Sequence, residues 1–170
     1  AEDVIVARDI EVQEEIKGKL QLTHLSTKGA LELVREARKR GVTVTCDVTP
    51  HHLLLTEDLI AERLDPVYKM KPPLRTEEDR LALVEGIRTG LVDCIASDHA
   101  PHTAEEKSRP FEKAPFGVIG MESSFPVIYD RLVRTGIIDI KRLIELFSTN
   151  PARVLNLEGR GIVKPGCPAD

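Results

Sequence analysis

The sequence has 170 residues, of which 41% are hydrophobic and 31% charged, with a formal charge of −4, the balance of a soluble globular chain able to form one core. No apolar run approaches the roughly 20 residues that span a bilayer, and no signal-peptide pattern opens the chain. Lysines and arginines are scattered, and the longest basic cluster, residues 35–40, is broken by Glu36 and Ala37, which argues against nucleic-acid binding and reads as a solvated helix face.

In chain order, residues 2–17 place Val4, Ile5, Ile10, Val12 and Ile16 in a loosely helical pattern that stops at Gly18. Residues 20–25 form a short strand candidate. A helix over 27–40 follows, capped by Ser26 or Thr27 and closed by Gly41. Residues 42–48 alternate at period two with β-branched side chains, the pattern of a strand. A loop with Pro50, Pro66, Pro72 and Pro73 leads to Thr76, which caps a helix whose first turn holds Glu77, Glu78 and Asp79. Leu81, Val84, Ile87 and Leu91 give that helix a buried stripe, and Gly90 ends it. Residues 91–97 are nearly all apolar, as expected of a strand covered on both faces. A long irregular stretch over 98–120 precedes two more helices, the second carrying Ile140, Leu143, Ile144 and Phe147 at helical spacing. Asn150-Pro151 then starts another turn, with cap and proline in the favoured order.

Cys46, Cys94 and Cys167 are odd in number and lack C-x-x-C spacing, so neither a disulfide framework nor a cysteine zinc site is expected and the chain reads as cytoplasmic. Both ends look cut: the sequence opens on Ala1-Glu2-Asp3 and stops in the turn-like Gly166-Cys167-Pro168-Ala169-Asp170. Strands alternating with helices imply a parallel α/β sheet. Three strands cannot close a (β/α)₈ barrel, which takes about 200 to 250 residues. The chain is therefore either a small open sheet or the last part of a barrel.

Reacting groups in parallel α/β folds sit at the C-terminal ends of strands. The strand ends read Thr23-His24-Leu25-Ser26, Thr49-Pro50-His51-His52 and Ser97-Asp98-His99-Ala100-Pro101-His102, so all five histidines are expected just past a strand and none on a helix face. Imidazole and carboxylate are the usual ligands of a catalytic zinc, and a carboxylate beside its open position can relay a proton. A capping or structural role suits any one of these residues taken alone. Spacing by itself yields no complete metal set.

The block Ser97-Asp98-His99-Ala100-Pro101-His102, followed by Glu105-Glu106-Lys107 and by residues 111–117, is similar to that of bacterial-type dihydroorotases of the amidohydrolase superfamily. Thr49-Pro50-His51-His52-Leu53-Leu54-Leu55-Thr56 and Pro72-Pro73-Leu74-Arg75 carry the same resemblance. It implies an α/β fold, the C-terminal part of a metal-dependent (β/α)₈ barrel comprising strands six to eight, over residues 1–156. Residues 157–170 would then begin the small β-domain. It also implies that His24 and Asp98 hold Zn²⁺, with one or two metals per complete site and the remaining ligands upstream of residue 1. Asp98 would also be the catalytic proton shuttle. His102, Phe116 and Gly117 would hold substrate. Lys71 stands where the family more often has Asn; it either pairs with a substrate carboxylate or is a solvated loop lysine. His51 and His52 are given a structural or supporting role.

The function so implied is dihydroorotase activity, the reversible conversion of L-dihydroorotate and N-carbamoyl-L-aspartate in pyrimidine (UMP) biosynthesis. The fragment alone is expected to be inactive. The partners implied are that small-molecule substrate, the missing N-terminal part of the same protein, a further copy in a homo-oligomer and, as a candidate, aspartate transcarbamoylase; no nucleic acid and no membrane are expected. The alternatives are another cyclic amidohydrolase of hydantoinase or allantoinase type, and a non-catalytic dihydroorotase-like subunit that scaffolds aspartate transcarbamoylase.

Overall fold

The computed structural model describes residues 1–168, the side chains of Glu62 and Arg63 excepted. Three parallel strands in the order β1-β2-β3 form its sheet. They are β1 (Leu20–Leu22), β2 (Val44–Val48) and β3 (Cys94–Ile95), in register through Leu22 opposite Cys46 and Asp47 opposite Cys94. Helix α1 (Glu2–Ile16) precedes β1, α2 (Lys28–Lys39) joins β1 to β2, and α5 (Glu77–Thr89) leads into β3. The expected strand–helix alternation is therefore present, with each crossover returning the chain to a parallel neighbour.

The strands are shorter than the 20–25 and 91–97 windows. The backbone leaves β1 at His24, whose φ of 60° is left-handed, and such a residue cannot continue a pleat. β3 has β2 on one side and no strand on the other among the described residues. Only Cys94 and Ile95 complete its ladder, although Asp93 N and Ala96 N also donate to the Cys46 and Val48 carbonyls.

Several turns of helix occupy stretches expected to be loop. Pro50 opens α3 (Pro50–Leu54), and Thr49 accepts the His52 amide as its cap. A proline at the first helical position costs no hydrogen bond, so this was a helix start rather than a break. His51 and His52 consequently lie on a helix, which corrects the expectation that no histidine does. Helix α4 (Asp58–Arg63) and a 3₁₀ turn at Pro66–Tyr68 complete the connection to α5. In the 98–120 region, Thr103 and Glu106 form a reciprocal capping box on α6 (Ala104–Lys107).

The last segment is helical with two wide turns. Helix α7 (Ser124–Ile128) continues as a π-helical turn at Tyr129–Val133, and α8 (Ile140–Ile144) runs through another at Glu145–Thr149 into α9 (Asn150–Val154). Asn150 is itself helical and caps nothing, contrary to the cap expected there. Its side-chain amide donates to the Asp93 carbonyl at 2.8 Å instead. The wide turn ends two residues before Pro151, whose missing N–H and bulky ring oppose a regular helix over the preceding turn. Residues 157–168 form turns, and the end of the expected second domain, Ala169 and Asp170, lies outside the described residues.

Period-two alternation decides what faces what. Val44, Cys46 and Val48 of β2 enter a core shared with Ala30, Leu31 and Val34 of α2, Leu83 and Ile87 of α5, and Leu143 and Leu146 of the last segment. Val6 and Ile10 of α1 join it, while Val4, Val12 and Ile16 stay exposed. Burial pushes the Cys46 and Cys94 thiols up to about 12, so both are inert packing residues, as expected. Gln21, Thr45 and Asp47 project from the other face of the sheet and bond one another.

Arginines tie the beginnings of the strands. Arg38 donates to the Val44 and Leu91 carbonyls at 3.0 and 2.8 Å and pairs with Asp93 at 2.5 Å. Arg142 donates to the Ile87 and Val92 carbonyls at 3.1 and 2.8 Å. The opposite rim, past the strand ends, carries the titratable side chains.

Candidate active site

Three strand ends deliver three groups to one place. His24 Nε2 lies 3.5 Å from Asp98 Oδ1, and His51 Nε2 lies 4.0 Å from Asp98 Oδ2. His24 and Asp98 share a backbone peculiarity: φ is 60° at one and 48° at the other. Left-handed conformation is uncommon away from glycine and is retained where the surrounding structure enforces it. Both residues singled out as metal ligands thus follow a strand, adopt the same strained turn and face each other.

Asp47 sets the orientation of His24. Its Oδ1 accepts the His24 backbone amide at 2.8 Å and stands 3.0 Å from Nδ1, while Gln21 Nε2 donates to Oδ2 at 2.9 Å. Thr45 Oγ1 donates in turn to Gln21 Oε1. The hydrogen bond to Asp47, partly opposed by burial, raises the His24 pKa above its ordinary value. A carboxylate against Nδ1 fixes the proton there and turns the Nε2 lone pair toward Asp98. Sequence inspection did not single out Asp47. The available signal was its place on the polar face of a period-two strand, next to the strand that ends in His24.

The paired histidines divide in role. His52 is structural: Nδ1 is 2.7 Å from Thr49 Oγ1 and Nε2 is 3.0 Å from the Pro72 carbonyl. His51 is buried too, yet its Nε2 has no hydrogen-bond partner. His99 Nδ1 accepts the Gly120 and Met121 amides at 3.1 and 3.2 Å, so it braces the returning loop.

That loop brings the expected substrate residues together. His102 Nε2 is 2.9 Å from the Phe116 carbonyl, and Ala100 N donates to the Val118 carbonyl at 2.9 Å. Gly117 has a φ of 131°, and a Cβ there would meet the Ala100 Cβ and carbonyl at 2.6 and 2.8 Å, so only glycine fits. Two ammonium groups pin the segment. Lys69, buried, donates to the Phe111, Glu112 and Ala114 carbonyls at 2.6, 3.2 and 2.7 Å and lies 4.6 Å from the Phe116 ring centre. Lys107 donates to the Pro115 and Gly117 carbonyls at 3.2 and 2.9 Å, and burial lowers its pKa. Lys69 too was missed, since nothing local distinguishes a buried lysine from a solvated one. Lys71 is exposed beside Pro72, on the rim of a cleft that also holds His24, Pro73 and Arg75.

The sequence profile described as the amidohydrolase family matches residues 7–170. The chain belongs to the amidohydrolase family. Within it, the chain is 45% identical to a dihydroorotase of Brevibacillus brevis over all of its 170 residues, and 48% identical to one of Bacillus cereus over 169. The chain spans about 40% of the length of these curated relatives. Among solved amidohydrolase structures similar to it, the L-hydantoinase (dihydropyrimidinase) of Arthrobacter aurescens superposes with a TM-score of 0.92 at 32% identity. The match covers 99% of this chain and 38% of that one. A dihydropyrimidinase from Brevibacillus agri gives 0.91 at 26% identity, covering 100% and 38%.

Members of this family are generally metal-dependent, and the donor set here can be tested for fit. Zinc bonds of about 2.0 to 2.2 Å to nitrogen and oxygen at a tetrahedral angle separate two ligand atoms by about 3.4 Å. The 3.5 Å between His24 Nε2 and Asp98 Oδ1 matches that spacing and is too long for a good hydrogen bond. Among the described residues no group of three or more His, Cys, Asp or Glu side chains is arranged to hold a metal ion. The fit therefore concerns two ligands, with further ones needed from outside these residues.

Proposed function

We propose that this chain is the C-terminal part of a zinc-dependent dihydroorotase, contributing strands six to eight of its (β/α)₈ barrel, with residues 157–170 beginning a second, small domain. The observation that carries the reading is the 3.5 Å convergence of His24 and Asp98 past the ends of β1 and β3, on either side of β2, in a chain 45% and 48% identical over its own length to two dihydroorotases. The reaction is the reversible conversion of L-dihydroorotate and N-carbamoyl-L-aspartate in pyrimidine biosynthesis.

His24 and Asp98 would hold the zinc, which when bound supplies Lewis acidity that polarises an amide carbonyl and acidifies water. Asp98 accepts the proton of the attacking water as its oxygen adds to the ring carbonyl carbon. The same carboxyl group then delivers that proton to the amide nitrogen as the C–N bond breaks. Lys71 pairs with the substrate carboxylate, His102 lines the same side, and the backbone at Phe116 and Gly117, fixed by Lys69 and Lys107, borders the substrate. The reading places the protein in the cytoplasm as a homo-oligomer, with aspartate transcarbamoylase a candidate partner.

The hydantoinase reading has an observation of its own in favour, the TM-score of 0.92 to an L-hydantoinase. Assay of the zinc-loaded full-length protein against L-dihydroorotate, hydantoin and allantoin separates the two. Dihydroorotate is the expected substrate by kcat/KM, and preference for hydantoin would replace the reading.

Asp47 offers a second test. Asp47→Ala in the full-length protein is expected to weaken zinc binding about 10- to 100-fold in chelator competition, the usual effect of losing the carboxylate behind a ligating imidazole. Unchanged affinity would separate Asp47 from metal binding.

A further inference from the structure

A buried imidazole with a bare nitrogen is left over. His51 is 8% exposed, and its Nε2 is the one buried side-chain nitrogen or oxygen among the described residues without a hydrogen-bond partner. A polar atom so placed costs about 1–3 kcal/mol, and native structures retain such atoms where an unseen partner or a function accounts for them. The ring is held in position by α3, by the His52 ring with centres 4.5 Å apart, and by the walls of a small apolar pocket that includes Leu54, Val118 and Val127. The oxygen of Asp98 that is not directed at His24 lies 4.0 Å from its Nε2.

We propose that His51 is a positioning residue for Asp98, its Nε2–H closing onto Oδ2 in the assembled site so that the carboxylate is gripped from both sides. This rests on the dihydroorotase reading and adds to it a group that neither ligates metal nor touches substrate. A shift of about 1 Å brings the pair to hydrogen-bond distance, and such contacts commonly tighten when a site fills. The contact asks only for an N–H at Nε2, which a neutral imidazole supplies without adding a second cation. A carboxylate held at one oxygen loses rotational freedom. The other oxygen is then fixed toward His24 at the ligand spacing, and the carboxylate as a whole is aligned for proton transfer.

The test uses the full-length protein and two substitutions of similar size, His51→Gln, whose amide places an N–H near Nε2, and His51→Met, which fills the space without a donor. Tm and zinc content are measured beside kcat and KM. His51→Met is expected to lose about 10- to 100-fold in kcat with KM and zinc content unchanged. His51→Gln is expected to recover the larger part of that loss. Equal activity of His51→Met and wild type overturns the proposal, as does an equal loss in both variants. Zinc depletion in either would make His51 a ligand and overturn it too. A wild-type protein that fails to hydrolyse dihydroorotate would instead count against the dihydroorotase reading itself.

Discussion

Asp98→Asn in the full-length protein is expected to reduce kcat by at least about 10³-fold while leaving Tm within a few degrees of wild type. A positioned general acid–base contributes about 10² to 10⁴ in rate, and an amide can neither take nor return the proton. The fold is expected to survive because Asp98 accepts no hydrogen bond that organises the strands, and because asparagine tolerates the left-handed φ of 48° found there. A β-branched residue at this position would confuse the result by straining the backbone. Turnover within tenfold of wild type would remove Asp98 from the proton path.

His24→Asn is the second large effect. Asparagine suits the φ of 60° at this position, but its side chain ends roughly where Nδ1 lies and cannot supply a donor at the Nε2 position 3.5 Å from Asp98. The variant is expected to retain its circular dichroism and Tm and to lose more than about 100-fold in zinc affinity, exceeding the loss from removing the carboxylate behind the ring. Full zinc content measured by atomic absorption would show that the metal sits elsewhere. The sign of the pH effect follows from the same contact. Asp47 raises the His24 pKa, so protons compete with metal for Nε2 from a higher pH, and zinc affinity should fall as pH drops through that raised value.

Much of this was legible in the chain because two rules act locally. Period-two alternation in β2 separated core from polar face, and the C-terminal ends of parallel strands pointed to the five histidines and Asp98, among which the resemblance to dihydroorotases singled out His24 and Asp98. The limits were equally physical. Proline was read as a break at Pro50, whereas it opens a helix, so His51 and His52 were assigned to loop when they ride on α3. Strand length depends on neighbours as well as on apolar content, and β3 has a partner on one side alone among the described residues. The contributions of Asp47 and Lys69 came from contacts 23 and more than 40 residues away in sequence, Asp47 with His24 and Lys69 with Phe111 and Ala114. No single-residue pattern encodes those. Lys71 is where pattern said least: the exposed side chain lines the His24 cleft, a position consistent with either expected role.

The arginine ties at Val44, Leu91 and Val92 lie at the starts of the strands, and the groups invoked in chemistry lie past their ends, apart from Asp47 near the end of β2. Five residues of β2 keep the two rims roughly 16 Å apart. The arginine ties and the metal-facing groups are therefore separate sets of side chains. Laboratory selection can harden the lower rim through Arg38, Asp93 and Arg142 without retuning the catalyst, and can alter substrate preference in the 98–120 loop without loosening the scaffold.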